Sequence, residues 1–521
     1  MTRPEKVLEV PDLLIRRRGC WKWSKRTAMR FAVYFLLCLM PLLAQPEDLA
    51  RKSHRAKDLM AAGQFQEAIP VYRELVRAAP DNPGLIMDLG LALDMAGYKR
   101  EAVREFEAAL RLDPRQAPAW LFLGTAHLDL GEPAKAIEPV ERALKIQPDN
   151  LDAQEAMAEV FLAVGRFEQS AERFRKLLES NAQNSKVWYG LGLAYQDLAQ
   201  RNFDGLEKVA PGSAYWLDLV GESRLKVRQY NSAFFFYRQA LAKMPSMRGV
   251  HAALAEVYRN TGHPDWAAIE EDKESRIPPP DCSSQKPECD FLAGRYSALV
   301  ASPDGWSAAE SYYWRTRAYN KLSLEAFSRL GQLPPSAEMH ELVAKIHFDQ
   351  RQYDEAAGEW REALKLSPGN PYARKELALA LIQGGDRQAA EPLLRELLKQ
   401  SPGSVELNNM MGDTLLDLQK AEEAIPFLKR AVQLEPKLLP ARRTLGRAYL
   451  QLGQPQQAIP HLKAALPIDD DGNLHYLLAR AYQTTGQAEL AKAAIRDYQE
   501  IAKSAKSEEQ ATEQQVEITP P

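Results

Sequence analysis

The chain has 521 residues, a formal net charge of −3, and 45% hydrophobic beside 26% charged residues. That balance can build a core. The near-neutral charge argues against a dedicated nucleic-acid binder, which needs a basic face to displace counterions from phosphates. Length alone would suggest several ordinary domains, but repeat proteins grow by adding units, so internal periodicity has to be sought first.

Residues 1–30 carry nine Lys or Arg against three acids, and an apolar run of 14 residues follows, from Phe31 to Ala44. A helix needs roughly 20 apolar residues to span a bilayer. The basic region, the short run and the small Ala44 before Gln45-Pro46 together read as an export signal over 1–44. Met29, directly before the run, offers a second start that would give a signal of ordinary length. The chain is thus expected to be exported, periplasmic or extracellular. An uncleaved signal anchored in the inner membrane is the alternative, and the one route to membrane contact. Cys20 and Cys38 would leave with the signal, so Cys282 and Cys289 remain. A pair in an exported chain favours a disulfide, and two ligands without a nearby histidine make a poor metal site.

Beyond the signal the sequence repeats. In the motif Gly-x-aromatic-x-x-Ala the alanine falls at Ala68, Ala102 and Ala136, with Ser170 next, each 34 residues after the last. A second series holds Ala233 and Ala267, and a third runs Ala356, Ala390, Ala424, Ala458, then Ala491 after 33. Four residues beyond the alanine stand Tyr72, Phe106, Phe174, Tyr237 and Trp360. Twelve beyond stand Pro80, Pro114, Pro148, Pro245, Pro368, Pro402 and Pro436. Twelve before stand Gly90, Gly124, Gly192, Gly221, Gly412 and Gly446. The physical reading is two helices per unit. Small residues let the pair approach closely, the aromatic fills the space beside them, and the proline stops the second helix because its ring cannot continue one.

These residues resemble the tetratricopeptide repeat. One unit reads Trp120, Leu123-Gly124, Ala136, Ala143, Pro148, and another opens with Trp188, Leu191-Gly192 and Tyr195. The resemblance implies an all-α solenoid, a right-handed superhelix of about 12–13 hairpins with a concave groove that binds peptides or protein segments. The period breaks twice, from Ser170 to Ala233 and from Ala267 to Ala356. The expected organisation is therefore two arrays joined by an irregular centre. The first covers 45–275, with a degenerate segment near 200–213. A Pro/Cys loop at 276–290 and degenerate helical repeats at 291–336 lead to the second array at 337–503. Residues 504–521, poor in apolar side chains, are expected to be disordered.

No catalytic constellation stands out: there is no His-Glu-x-x-His, no phosphate-binding Gly-x-x-x-x-Gly-Lys and no Gly-x-Ser-x-Gly elbow. Repeats consume nearly all of the chain, so no catalytic residue, metal or cofactor is expected. In the resembled family the first helix of each unit faces the groove. Its inward positions hold Met87, Leu91, Leu121, Phe122 and Tyr189 in the first array, an apolar floor with Glu155 and Glu159 at one end. In the last units they hold Arg443, Arg447 and Arg480, with Asp413 near. Arg443 and Arg447 are four apart, hence neighbours on one helix face. Forked guanidinium bonds suit carboxylates, so this patch is expected to take an acidic segment of a protein or peptide partner. The alternative is arginines neutralised by acids such as Asp413. The function implied is a non-catalytic scaffold or adaptor in the cell envelope; a structural component of an envelope or polysaccharide-export assembly is the second reading. Mass spectrometry after alkylation without reduction is expected to find Cys282 and Cys289 unmodified, and two alkylated thiols would exclude their bond.

Overall fold

The computed structural model describes residues 46–302, 307–515 and 517–521, so the export signal, with Met29, Cys20 and Cys38, lies outside the described residues. The described chain divides into two compact units, one ending at Pro80 and the other beginning at Asp81. In the first, α1 (Pro46–Ala61) and α2 (Phe65–Ala78) form one hairpin closed over Ala68, Tyr72 and Leu75. No strand occurs among the described residues.

The second unit begins with three regular hairpins: α3 (Pro83–Met95) with α4 (Lys99–Leu112), α5 (Ala117–Asp129) with α6 (Pro133–Ile146), and α7 (Leu151–Ala163) with α8 (Phe167–Ser180). Three first helices start behind Asn82, Asn150 and Asn184, whose side chains accept the free amides of the opening turn, while α5 starts behind Gln116 without a side-chain cap. Second helices stop two residues before Pro114 and Pro148. The alanine places are shut from solvent: Ala102, Ala136 and Ser170 are each 0% exposed. Ser170 uses its hydroxyl there, donating to the Ala158 carbonyl at 2.8 Å.

At the fourth hairpin the structure departs from the expected two arrays. The first helix, α9 (Ser185–Val209), runs unbroken through most of the segment near 200–213 expected to be degenerate, which is irregular only beyond Val209. Its partner is α16 (Ala308–Leu330), the most extensive helix pairing in the molecule. Gly205 is a packing residue, not a loop residue, since a Cβ there would stand 2.5 Å from the Tyr312 ring. Ser323 takes the alanine place and donates to the Gly192 carbonyl at 2.9 Å, as Ser170 does to Ala158. Phe327, four residues on, takes the aromatic place against Gly192. The residues between α9 and α16 are thus an insertion into one hairpin. They form two further hairpins, α10 (Ala214–Lys226) with α11 (Tyr230–Lys243) and the shorter α12 (Val250–Asn260) with α13 (Pro264–Ser275). Two short helices, α14 (Lys286–Leu292) and α15 (Tyr296–Ala301), lead back to α16. Part of the expected Pro/Cys loop is therefore helical, and Cys282 and Cys289 are bonded across it, with Cα atoms 5.7 Å apart.

The main array resumes with α17 (Ala337–Asp349) and α18 (Tyr353–Leu366), α19 (Pro371–Gln383) and α20 (Arg387–Gln400), and α21 (Val405–Asp417) and α22 (Ala421–Leu434). It continues through α23 (Leu439–Gln451) with α24 (Pro455–Ala465) to α25 (Asn473–Thr484) with α26 (Ala488–Gln515). The last helix thus extends past residue 504, where disorder was expected. Ala491, Ala494 and Ile495 on its first turns pack into the core of the final hairpins and anchor it.

Gly192 separates the two architectures experimentally. A Cβ there would stand 2.3 Å from the Phe327 ring, and one at Gly412 2.4 Å from Leu428. Both Gly192→Ala and Gly412→Ala are expected to cost about 1–3 kcal/mol by overpacking, read as a lower denaturant midpoint. Were α9 without α16 as partner, Gly192→Ala would instead gain up to about 1 kcal/mol from helix propensity.

Candidate functional site

In the second unit the first helices of successive hairpins touch one another, α5 with α7, α7 with α9, α9 with α17, α21 with α23, and the second helices do not meet to the same extent. The array therefore curves with its first helices on the inner face, and the inward positions read from the sequence lie along it.

The five residues expected to form an apolar floor divide. Met87, Leu91 and Phe122 are half-buried, Phe122 lying on Phe106 with ring centroids 5.8 Å apart. Leu121 and Tyr189 are 8% exposed and belong to the packing between hairpins. Leu121 sits among Ala136, Val140 and Ala153. Tyr189 lies 6.2 Å from the Phe327 ring, and its hydroxyl accepts from Lys345 Nζ at 2.7 Å. These two wedge between elements and are not open floor.

Along the middle of the face every lysine has a partner. Lys186 lies between Glu155 (3.0 Å) and Glu159 (2.6 Å). Lys345 stands 5.2 Å from the ring centroids of both Tyr189 and Tyr372, and burial holds its ammonium below the ordinary lysine pKa against the pull of Glu341 and Glu376. Lys375 donates to Glu406 at 3.1 Å.

At the far end the balance changes. A cleft of about 810 Å³ opens beside the ends of α21, α23 and α25, lined among others by Arg387, Arg447, Arg480, Asp386 and Asp417. Asp386 is engaged as a helix cap, accepting the Ala389 amide at 3.1 Å. Asp417 is held by Arg387 Nε at 2.6 Å, which leaves Arg447 at 3.9 Å from its second oxygen. Arg480 is exposed and has no carboxylate within 4 Å among the described residues. The structure thus unites Arg447 with Arg480 and adds Arg387. Arg443 is exposed but outside the cleft lining, its electrostatic neighbour being Asp413. Asp413 is largely satisfied already, by the Thr444 hydroxyl at 2.5 Å and the Asn409 amide at 3.1 Å. Arg387 was missed because it opens a second helix, outside the inward positions. Asp417 is the thirteenth and last residue of its first helix. Chemically the cleft presents guanidinium donors, groups whose forked geometry suits a carboxylate. Among the described residues no cluster of three or more His, Cys, Asp or Glu is placed to hold a metal ion, and no helix is long and apolar enough to cross a membrane.

A second polar convergence lies in the fork between the main array and the insertion. A cleft of about 550 Å³ there is lined by Gln196 and Asp197 of α9, Glu222 and Lys226 of α10, and Thr316 and Asn320 of α16. Below it Tyr313 donates to Asp218 at 2.8 Å, and Arg317 donates to the Tyr313 hydroxyl at 2.7 Å. The Arg317 guanidinium lies 4.9 Å from the Phe291 ring centroid. Burial pushes the Asp218 carboxyl up to about 6, with Arg317 and Tyr313 pulling the other way. Unfolded, this carboxyl titrates near 3.9, so the folded chain holds the proton more tightly. The associated stability is full below about pH 4 and lost as pH rises through about 6, a change of about 2–3 kcal/mol. Asp218→Asn removes the titration. The denaturant midpoint of the natural chain should fall relative to that variant between about pH 4 and pH 7; parallel curves would refute the assignment.

Models of the tetratricopeptide repeat match residues 131–194 and 415–480, residues 55–98, 87–150, 304–371, 342–405 and 375–439, and residues 472–504. The matches stop on either side of the inserted hairpins. No curated protein matches the chain. Among solved structures, MamA MSR-1 C2 is 22% identical, with a TM-score of 0.30 over 32% of this chain and 98% of that one. MamA from Desulfovibrio magneticus RS-1 is 21% identical, with a TM-score of 0.31 over 32% of this chain and 96% of that one. A tetratricopeptide repeat protein from Parabacteroides merdae is 15% identical, with a TM-score of 0.31 over 64% of this chain and 99% of that one. The repeats support a protein-interaction scaffold. With more than half of its length under these repeat models, the chain belongs to the tetratricopeptide repeat family.

Proposed function

We propose that this chain is an exported, non-catalytic scaffold of the cell envelope that grips an acidic segment of a partner protein at the arginine end of its inner face. One observation carries the reading: three guanidinium groups share a cleft with two carboxylates that are already engaged, one as a helix cap and one by Arg387. Elsewhere on the inner face the lysines are neutralised or stacked, so this is where an added carboxylate gains most. Arg447 and Arg480 would take it by forked hydrogen bonds, with Arg443 extending the positive field along α23. Envelope location rests on the basic segment and apolar run at 1–44.

Exposed charge pairs contribute little singly, about 0.2–1 kcal/mol each, so several arginines must act together and the binding must weaken with salt. An Asp/Glu-rich peptide is expected to lose at least about tenfold in affinity, about 1.4 kcal/mol, on Arg447→Glu/Arg480→Glu. The Arg443→Glu/Arg447→Glu variant should also lose binding, with Arg443→Glu alone losing less. Calorimetric titration at low and at high salt reads all three. Unchanged affinity in the double variants, or in high salt, would overturn the site, and recovery of the unprocessed chain from the cytoplasmic fraction would overturn the location.

A further inference from the structure

The inserted hairpins carry an aromatic surface that the arginine cleft does not explain. Tyr258 of α12 is fully buried, with Phe234 at 5.8 Å and Trp266 at 5.6 Å between ring centroids, and His263 stacks on Trp266 at 4.0 Å. Part of the cover over this cluster comes from a distant stretch of the same chain. Ile518 packs against the cluster, and the Tyr258 hydroxyl donates to the Thr519 carbonyl at 2.7 Å. Residues 517–521 have no helix or strand. Ile518 and Pro521 are half-buried, whereas Glu517, Thr519 and Pro520 are exposed.

We propose that the aromatic face around Tyr258 is a docking site for an extended segment of the form Ile-x-x-Pro, occupied in cis by residues 517–521. Two half-buried side chains three apart match a polyproline-type helix, which turns once every three residues. Pro520 and Pro521 have no amide hydrogen, so such a ligand is recognised through its carbonyls and its apolar faces. A buried tyrosine hydroxyl donating to a carbonyl beside a bed of rings is that kind of receptor. The prolines also pre-set the extended form and lower the ordering cost of docking. The resident segment is a strap: it shields the site until a partner segment of the same form displaces it.

The test compares the full chain with one ending at Gln515, using a labelled peptide that spans residues 516–521. The shortened chain should bind the peptide saturably, and the full chain at least about tenfold more weakly, because the tethered copy competes at high effective concentration. Ile518→Asp in the full chain should open the site without any deletion. Tyr258→Phe in the shortened chain should weaken binding by about threefold to tenfold, the loss expected for one hydrogen bond. Helical circular dichroism establishes that each variant is folded. A folded shortened chain that ignores millimolar peptide overturns the proposal. So does equal binding by both chains, or a peptide carrying Ile518→Asp that binds as well as the natural one.

Discussion

The array depends on one contact repeated along it: a glycine or alanine of the first helix set directly against a bulky side chain of the second. Gly124 faces Val140, Gly412 faces Leu428 and Gly446 faces Leu462, in each case so closely that a Cβ would stand 2.4–2.6 Å from the neighbour. With the backbones this near, the alanine twelve residues later is sealed from water, and 0% exposure at Ala102, Ala136, Ala356, Ala390, Ala424 and Ala458 follows. The helix pair is then one rigid wedge, and successive wedges share a core with their neighbours alone.

Nearest-neighbour cohesion is what makes the insertion tolerable. In α9 and α16 the glycine contact survives although its two halves, Gly192 and Phe327, are far apart in sequence. Gly205 meets Tyr312 further along the same antiparallel pair, so Val209 and Ala308 end side by side. Two adjacent ends can accept a folded module at small cost in loop-closure entropy. The module then needs its own core, and Phe234, Tyr237 and Tyr258 supply it, packed together with Tyr313 of α16.

Most of the fold was legible because the small-residue positions admit so few substitutes that a 34-residue spacing survives sequence drift. The α9–α16 pairing was hidden for the converse reason. Its alanine place holds Ser323, which keeps the contact by bonding the Gly192 carbonyl, and no glycine-containing turn precedes it. The signal was still present: Ser323, Phe327 and Pro335 keep the offsets of Ala102, Phe106 and Pro114. At the site, Arg447 and Arg480 could be read because they occupy equivalent inward positions of adjacent units. Their unequal neutralisation could not, since it depends on Arg387 reaching Asp417 from a different hairpin. Leu121 and Tyr189 show the opposite limit, for an inward position next to a large neighbour becomes core.

The place of the arginines on their helices also constrains how they can work. Arg447 lies in the last turns of α23 and Arg480 in those of α25, where the helix dipole is negative and favours a cation. The same field opposes an incoming carboxylate, so the backbone of these helix ends cannot serve as the receptor, unlike the amides of a helix start. Asp417, the last residue of α21, already stands in that unfavourable field and is held there by Arg387. On the proposed reading, a partner's carboxylate would therefore be met by guanidinium groups reaching away from the helix ends into the open cleft, where solvent screens them. Affinity at such a place comes from the number of charges engaged, and that favours a run of acids on an extended segment over a single terminal carboxylate.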